Sequence, residues 1–526
     1  MRLDKVYIDG FKNLKRLEID FDESKLTTVL IGQNGAGKSN LIEAITRVFR
    51  WVDLHSHEPR FRYRVDYHID DVHITLSNIA GESSIAVNGK EVSRTEFEKN
   101  KREWFPDLIF GYYSGSNRHL ESTFDTYQTN YYKAIARNND EAACYEALLA
   151  RRLFYCRPVH GVIALLALFA FPDEVVIREL FERLRINGFH SVLALFREPW
   201  YAKGGKAVKA ANASNFWGAD GPAGRTAGKL KALAFHPFGL TGNAIDDYRS
   251  KRLDEAQFAT FLPSIEALSS LREEFSDDGD LFYALEALDV SDLIRDIMVW
   301  VTREGDNSGD VGFSDLSDGE RQLLMVLGLI RISRGKRALF LLDEPDTHLN
   351  PHWQHSYLRL IEDWTGIAAN KDNCHVIISS HNPLTISALT RDEVRILSTS
   401  EDGCVSCAPP YADPKGMGFT ATLTEIFGLN TSLDIDTQRL VDERNALAKL
   451  TKKSDKQERE FIKINDELAR LGFLFEDREP LYQDFLRTWH DVRYADRPPL
   501  TPEKIAQRHQ AMKTLIQGLT SKEEKS

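Results

Sequence analysis

Apolar and polar positions alternate in two short stretches at the start of the chain, residues 2–8 and 17–21. This two-residue period predicts two strands, each with one buried face. Residues 26–31 then form a continuous apolar run, as in a strand that is buried on both faces. A glycine-rich loop follows, and from Leu41 to Phe49 apolar residues recur at helical spacing. The first fifty residues therefore predict strands, a loop and a helix.

The pattern changes character three times after this start. Alternation between 60 and 90, with Asn88-Gly89 as a hairpin turn, predicts antiparallel strands, and residues 107–113 predict a further buried strand. From about 120 to 300 the pattern favours helices and loops, such as a helix that begins at Pro172 and ends at Asn187-Gly188. Residues 337–342 and 375–379 are short apolar runs typical of parallel strands. After about 431 the chain is charged and is predicted to be helical.

These changes predict an α/β protein in four parts. Residues 1–120 and 306–430 carry the α/β pattern. Residues 121–305 are predicted to form a mainly helical insertion between them, and residues 431–526 a helical extension. With 526 residues the chain is long enough for two or three domains.

Composition and charge exclude several classes of protein. The longest uncharged apolar run, Val162–Phe171, has ten residues, about half of the ~20 that span a bilayer. The N-terminus has no signal-peptide pattern and the five cysteines have no framework spacing, so we expect a cytoplasmic protein without membrane contact. A net charge of −12 argues against general coating of nucleic acid but leaves room for a local basic groove.

The glycine-rich loop matches the phosphate-binding motif G-x-x-x-x-G-K-S/T in full. Backbone amides of such a loop surround phosphates, the lysine reaches the β- and γ-phosphates, and the serine hydroxyl binds Mg²⁺. The flanking strand and amphipathic helix are the expected context. The predicted nucleotide contacts are Gly32, Gln33, Asn34, Gly35, Ala36, Gly37, Lys38, Ser39 and Asn40.

A second set of residues completes a nucleotide site. The apolar run 339–342 ends in Asp343, a candidate ligand of Mg²⁺ together with Ser39, and in Glu344, placed to orient or deprotonate the attacking water. His381 follows another apolar strand, where an imidazole can touch a γ-phosphate. Glu344 and His381 are therefore the candidate catalytic residues.

A further anion site is predicted where Leu316-Ser317-Asp318-Gly319-Glu320 precedes a helix. The Ser317 hydroxyl, the Gly319 backbone and the start of the helix favour a negative ligand, and Glu320 belongs to the same motif. Alone, this pentapeptide is commonly just a helix cap. Its order and spacing relative to Asp343 and His381 make the set specific.

Together these segments resemble the P-loop, signature, Walker B with D-loop, and switch histidine of ABC-type ATPases, and the branch that fits is the SMC/RecF-like group. The DGFKNL segment at residues 9–14 is also similar to that group. In this family two heads enclose two ATP molecules, and the signature of one chain caps the nucleotide of the other. The resemblance therefore implies that Ser317 and Gly319 act in trans, in a homodimer or a higher even-numbered homo-oligomer.

One position departs from the family pattern. A Q-loop glutamine is expected after the strand at 107–113, but residues 111–115 read Gly-Tyr-Tyr-Ser-Gly. Gln128 lies farther along the chain and is a poor candidate. The coupling between Mg²⁺ and the insertion, and the rate of hydrolysis, are therefore expected to differ from the family's.

Residues 422–430 and the helical tail resemble the PtuA ATPases of Septu anti-phage systems, which are also found beside retrons. In that family an HNH nuclease, PtuB, cuts DNA, and in retron versions a reverse transcriptase and its RNA–DNA product join. The resemblance implies an ATPase that regulates such a nuclease. A RecF-like DNA repair clamp or loader is the alternative.

Two regions stay open on sequence alone. Six cations and six glycines between 202 and 235 predict a flexible basic loop, which is either merely solvated or a contact to a DNA or RNA backbone. Its cations are Lys203, Lys206, Lys209, Arg225, Lys229 and Lys231. The tail after 431 either docks the nuclease or packs on its own head or a sister subunit. Within it, Asp434-Ile435-Asp436 is similar to part of a Toprim nuclease, but a helix cap is the better interpretation.

Overall fold

Three β-sheets and the helices around them build the first of two units, Met1–Ser432, and the second unit is Leu433–Ser526. The computed structural model describes residues 1–115, 118–136, 138–173, 184–202, 206–243, 254–333, 335–368, 373–400, 402–429, 433–448 and 454–472, and the single residues Arg178, Glu182, Leu450, Gln510 and Thr514.

A seven-stranded sheet carries the predicted parallel strands. Its order is β18-β17-β3-β16-β15-β8-β9, with every neighbouring pair parallel except β17–β18. The strands are β3 (Thr27–Gly32), β8 (Leu108–Tyr113), β9 (Leu153–Tyr155), β15 (Ala338–Asp343), β16 (Cys374–Ser379), β17 (Val394–Thr399) and β18 (Val405–Ala408). Every residue of β15 and β16 is buried, which explains their continuous apolar sequence.

A six-stranded antiparallel sheet covers the N-terminal lobe, in the order β2-β1-β4-β5-β6-β7. The strands are β1 (Arg2–Asp9), β2 (Leu17–Asp20), β4 (Arg62–Ile69), β5 (Val72–Ser77), β6 (Ser84–Val87) and β7 (Lys90–Glu91). Alternate side chains such as Val65 and Leu76 pack in one core with Leu41 and Phe49 of the helix Lys38–Leu54. Asn88 and Gly89 form the predicted hairpin turn, both with positive φ.

A third sheet was not predicted. It is antiparallel, in the order β11-β12-β10-β13-β14, and consists of β10 (Ile186–Arg197), β11 (Phe238–Asn243), β12 (Asp254–Leu262), β13 (Ile294–Arg303) and β14 (Asp306–Gly312). The expectation of helices and loops from 120 to 300 is therefore incomplete. Asn187-Gly188, expected to end a helix, lies inside β10. The register between β10 and β13 shifts at three places, and such irregularity hides a two-residue period.

The helices of the first unit include the predicted one after the glycine-rich loop. The α-helices are Lys38–Leu54, Arg94–Lys99, Lys101–Trp104, Glu121–Ile135, Glu141–Leu149, Pro158–Ala170, Lys206–Asn212, Gly221–Leu233, Ile265–Arg272, Asp278–Val290, Asp318–Ile332, Pro351–Ala368, Pro383–Ile386 and Phe419–Ala421, with a π-helical turn at Thr422–Ile426 and 3₁₀ turns at Ala213–Gly218, Phe313–Asp315 and Arg391–Glu393. The apolar run that begins at Val162 lies in the core of this unit. In the part of the chain that the structure describes, no helix has the length and apolarity to cross a membrane.

In the second unit the described residues form two helices, Ile435–Ala448 and Asp455–Arg470. Asp434 caps the first, because its Oδ1 accepts hydrogen bonds from the amides of Asp436 and Thr437 at 3.1 and 3.0 Å. This supports the helix-cap interpretation of Asp434-Ile435-Asp436 over the nuclease one. The final helix predicted from Thr501 lies outside the described residues.

Candidate nucleotide site

The glycine-rich loop leaves β3 and enters the helix Lys38–Leu54 at the carboxyl edge of the parallel sheet. Two glycines are required by close packing. A Cβ on Gly32 would lie 2.3 Å from the Leu397 carbonyl oxygen, and one on Gly37 would lie 2.6 Å from Leu14 Cδ2. Gly37 also has φ of +101°, a conformation that other residues rarely adopt. Glycine at these two positions therefore lets the loop pass close to its neighbours and enter the helix. The backbone amides at the start of that helix favour an anion.

Lys38 is buried, with 5% of its surface exposed. Its Nζ donates to the carbonyl oxygen of Gly32 at 2.9 Å and lies 3.5 Å from His381 Nδ1. Burial lowers the pKa of Lys38, and the carboxylates of Glu344 and Asp343 oppose that shift. The ammonium group is thus held over the loop, where the motif places the β- and γ-phosphates.

Asp343 ends β15 and is fully buried. Parallel register places it opposite Ser379 of β16, whose hydroxyl donates a hydrogen bond to Asp343 Oδ1. Burial raises the pKa of Asp343, and the hydroxyls of Ser379 and Ser39 act in the opposite direction. The second carboxylate oxygen, Oδ2, is buried without a hydrogen-bond partner among the described residues. An oxygen in this state is costly unless a ligand satisfies it, so Asp343 and Ser39 fit the predicted Mg²⁺ site.

Glu344 follows with φ of +53°, a left-handed conformation that is uncommon for a side-chain-bearing residue and costs on the order of 1–3 kcal/mol. Its amide donates to Ser379 O at 3.1 Å and to Ser379 Oγ at 3.0 Å, which holds the turn. In this conformation the carboxylate contacts His381, with Oε1 2.9 Å from Nε2. The hydrogen bond from His381 lowers the pKa of Glu344, and burial opposes this. Glu344 is therefore ionised at neutral pH, as a general base requires.

The tautomer of His381 follows from its two neighbours. Lys38 only donates hydrogen bonds and the carboxylate of Glu344 only accepts them. A neutral ring between them must carry its proton on Nε2 and accept at Nδ1. The predicted catalytic pair, Glu344 and His381, is thus assembled with Lys38 at one sheet edge, and its side chains are partly exposed to solvent.

Sequence reasoning missed the polar residues that support this edge. Asp346 is buried and accepts hydrogen bonds from Ser380 Oγ, at 2.6 Å, and from Thr385 Oγ1. Burial raises the pKa of Asp346, and these two hydroxyls oppose the shift. The hydroxyls after β16 thus fix the loop that follows Glu344. Serines next to a candidate histidine were the available signal, at Ser379 and Ser380.

The predicted signature residues form the start of the helix Asp318–Ile332. Ser317 and Glu320 make a capping box, in which Ser317 N donates to Glu320 Oε2 at 2.7 Å and Glu320 N to Ser317 Oγ at 3.3 Å. A Cβ on Gly319 would lie 2.5 Å from the His348 carbonyl oxygen, so only glycine lets this helix pack against the loop after Asp346. Among the described residues, no hydrogen bond or ion pair links Ser317–Glu320 to residues 32–40.

The missing Q-loop glutamine has a histidine near its place. After β8, Ser114 N donates to Asp343 O at 3.2 Å, and the His119 ring lies 4.9 Å from that of Tyr113. Positive charge on His119 lowers the pKa of Asp343, a small contribution beside burial. Gln128 instead accepts a hydrogen bond from Arg151 at 2.6 Å. No motif in the sequence points to His119.

The predicted basic loop is not a loop in the described residues. Lys206–Asn212 and Gly221–Leu233 are helices, and the second buries Ala227 and Leu230. Lys203 and the side chain of Lys206 are not among the residues and side chains that the structure describes. The other four cations contact partners within the chain: Lys209 with Glu198, Arg225 with Glu141 at 3.4 Å, Lys229 with Glu274 at 3.3 Å, and Lys231 with the Ser214 carbonyl oxygen at 2.6 Å. The flexible-loop prediction is therefore wrong, because buried alanines and leucine fold the segment onto the core.

Two family models match the sequence. Residues 1–152 match the family described as "AAA ATPase domain", and residues 227–387 match "AAA domain, putative AbiEii toxin, Type IV TA system". The second match begins within the predicted insertion and includes the signature, Asp343 and His381.

Three curated proteins are similar to this chain. Septu protein PtuA of Bacillus mycoides is 26% identical over 229 residues, which is 41% of this chain and 31% of that protein. Retron Vc95 probable ATPase of Vibrio cholerae is 21% identical over 428 residues, 76% of this chain and 74% of that protein. DNA replication and repair protein RecF of Lactobacillus acidophilus is 47% identical over 45 residues, 9% of this chain and 12% of that protein. The chain thus spans about a third of the PtuA relative.

Solved structures align over most of the chain at low similarity. The SmcHead bound to the C-winged helix domain of ScpA aligns with a TM-score of 0.31 and 13% identity, over 78% of this chain and 97% of that one. The recombination mediator protein RecF with ATPrS aligns with a TM-score of 0.27 and 14% identity, over 77% and 97%. These values are too low to add to the argument from the site itself.

The complete phosphate-binding motif, the acids at the end of β15 and the ATPase matches together support an ATPase. The chain resembles PtuA of the Septu systems and the retron ATPase.

Proposed function

We propose that this protein binds and hydrolyses ATP between two copies of itself and thereby controls a partner nuclease in anti-phage defence. One observation carries the ATPase part: Lys38, Asp343, Glu344 and His381, distant in sequence, meet at one edge of the parallel sheet. Lys38 binds the phosphates, while Ser39 and Asp343 hold Mg²⁺, which neutralises phosphate charge. Glu344 accepts the proton of the attacking water, and His381 orients Glu344 by donating a hydrogen bond from Nε2.

The signature geometry supports dimerisation. Ser317 and Gly319 stand at a helix start, a favourable place for an anion, yet no described contact links them to the phosphate loop of their own chain. A symmetric pair of chains brings each signature to the other's phosphate loop. The composite site then has two halves from two chains, and a homodimer, or a higher even-numbered homo-oligomer, follows.

The partner nuclease is proposed from the relatives. The retron ATPase matches 76% of this chain, whereas the repair protein RecF matches 9%. The sequence shows no complete nuclease motif, so cutting of DNA is assigned to another cytoplasmic chain, an HNH nuclease. In a retron setting, a reverse transcriptase and its RNA–DNA product belong to the same assembly.

A RecF-like role in DNA repair is the second candidate, because the 45 residues shared with RecF are 47% identical. That role needs DNA binding by the ATPase itself and no nuclease partner. The neighbouring gene distinguishes the two: an HNH nuclease or a reverse transcriptase indicates defence, and a replication operon indicates repair.

The defining experiment identifies the neighbouring genes and co-expresses the chain with the HNH nuclease that we expect among them. We expect the two to co-purify and to cut DNA, and the chain alone to leave DNA intact. A second preparation lacking residues 432–526 locates the contact: ATP binding is retained, and loss of the nuclease assigns docking to the tail. Cutting of DNA by the purified chain alone, with no second protein found by mass spectrometry, would overturn the division of labour.

A further inference from the structure

Three potential metal ligands lie side by side on the antiparallel sheet of the N-terminal lobe. Asp4 is on β1, His68 on β4 and His73 on β5, three strands that are neighbours in that sheet. His68 and His73 are directly opposite each other in the register of β4 and β5. The register between β1 and β4 shifts between Leu3 and Lys5, which makes Asp4 a bulge residue. A bulge redirects a side chain, and here it directs Asp4 toward both histidines.

The donor atoms of these residues converge. Asp4 Oδ1 lies 2.6 Å from His68 Nδ1, and Asp4 Oδ2 lies 3.5 Å from His73 Nδ1. All three ligand atoms lie within 4.8 Å of one another. Zinc bonds of about 2.0–2.2 Å in tetrahedral geometry place ligand atoms roughly 3.3–3.6 Å apart. The distances in the cluster, from 2.6 Å to at most 4.8 Å, bracket that spacing, so side-chain shifts of about 1 Å bring the three atoms to it.

We propose that Asp4, His68 and His73 form a binding site for a divalent transition-metal cation, with Zn²⁺ as the representative ion. Two imidazole nitrogens and one carboxylate are a donor set for such ions, whereas Mg²⁺ and Ca²⁺ prefer oxygen ligands alone. On binding, the metal would displace the proton between Asp4 and His68 into solvent, and His73 Nδ1 would supply the third protein ligand. Asp4 and His68 are shielded, with 13% and 20% of their side chains exposed, while His73 is 65% exposed. That exposure gives the ion an entry path and water a remaining position.

This site is separate from the Mg²⁺ site at Asp343. Leu3, next to Asp4, donates its amide to His375 Nδ1 at 3.1 Å, and His375 is the second residue of β16. The nucleotide edge lies at the other end of β16, beyond Ser379, on the order of 15 Å away. A metal here joins three strands of the lobe and stabilises it, whatever the state of the nucleotide.

The test uses the full-length, untagged protein, stripped with a chelator and free of nucleotide. Dialysis against Zn²⁺ followed by elemental analysis is expected to give one zinc per chain. A Co²⁺-loaded sample is expected to show the intense visible absorption of a low-coordinate site with nitrogen ligands. His73→Ala, at the most exposed ligand, is expected to weaken zinc binding at least about tenfold and to remove the zinc-dependent rise in Tm.

Matched variants separate this site from others. His355→Ala removes an exposed histidine of the helix Pro351–Ala368 and is expected to leave zinc binding unchanged. Asp4→Asn and His68→Ala are expected to act as His73→Ala does, with circular dichroism to verify folding. Equal zinc affinity in wild type and His73→Ala, or a wild type that retains no zinc, would overturn the proposal and leave a hydrogen-bonded Asp–His pair.

Discussion

The nucleotide edge and the basic segment 202–235 are both predicted from the sequence as possible phosphate contacts. In the structure, the charged side chains of the two regions have different kinds of partner. At the edge, Asp343 Oδ2 is buried without a hydrogen-bond partner among the described residues, and Lys38 contacts main-chain carbonyls and an imidazole rather than forming an ion pair. In the basic segment, the four described cations contact carboxylates or a carbonyl of their own chain.

This difference shows why a phosphate-binding motif is stronger evidence for a ligand than a high density of basic residues. The order of residues in a phosphate-binding loop is set by the shape of the ligand, so the loop leaves polar groups for that ligand to satisfy. A high density of lysines and arginines follows equally well from internal ion pairs, which contribute only about 0–1 kcal/mol each at a surface. At this edge the buried Asp343 Oδ2 therefore agrees with the motif, whereas a high density of lysines does not by itself indicate a ligand.

Loss of the P-loop lysine has the largest expected effect. Lys38→Ala removes the charge that meets the β- and γ-phosphates and should weaken ATP binding about 100-fold or more, measured by calorimetry. Lys415→Ala, at an exposed lysine, is the control. An unchanged ATP affinity in Lys38→Ala would show that the P-loop assignment is wrong.

Glu344→Gln should keep ATP bound and slow hydrolysis by about 100-fold or more, because the base is lost while Asp343 and Lys38 remain. Phosphate release and nucleotide binding are measured on the same samples. Glu273→Gln makes the same charge change at an exposed position and should turn over normally. Normal turnover in Glu344→Gln would remove Glu344 from the catalytic role.

Mixing two inactive variants tests whether the nucleotide edge needs a second chain. Ser317→Arg blocks the signature, and Lys38→Ala disables the phosphate loop. A dimer of one variant with the other has one intact site of two. Since half of the dimers in a random 1:1 mixture are mixed, the mixture should recover about one quarter of wild-type ATPase activity. A mixture of Lys38→Ala with Glu344→Gln is the control, since no intact site forms. Absence of recovery in the first mixture would indicate that the signature does not act in trans.

The smallest effect is expected in the basic segment. Lys209→Gln, Lys229→Gln and Lys231→Gln together should weaken nucleic-acid binding slightly. The slope of log affinity against log salt should fall by less than the ~0.9 per lysine that a full phosphate contact gives, since each lysine already has a partner. A reduction of the full size would restore the segment as a nucleic-acid contact. An unchanged slope would leave these lysines a structural role alone.

Much of the fold was predictable where the pattern was local. A short apolar run predicted each of the buried parallel strands β3, β15 and β16. The glycine-rich motif predicted the strand before it and the helix after it. The five-stranded sheet of the insertion was not predictable in this way. Bulges break the alternation in β10 and β13, and these strands are paired across about a hundred residues of sequence.

For the candidate site, the sequence by itself identified the residues to which we assign the proposed chemistry: Lys38, Asp343, Glu344 and His381. Motif spacing is a local property, and the ends of parallel strands meet at one edge, so these identities needed no coordinates. Only the tertiary structure decided that Ser379 holds Asp343, that Gly319 packs on the loop after Asp346, and that Asp4 meets two histidines. The physical reason is that these contacts depend on strand register and helix packing, which residues far apart in the chain set together.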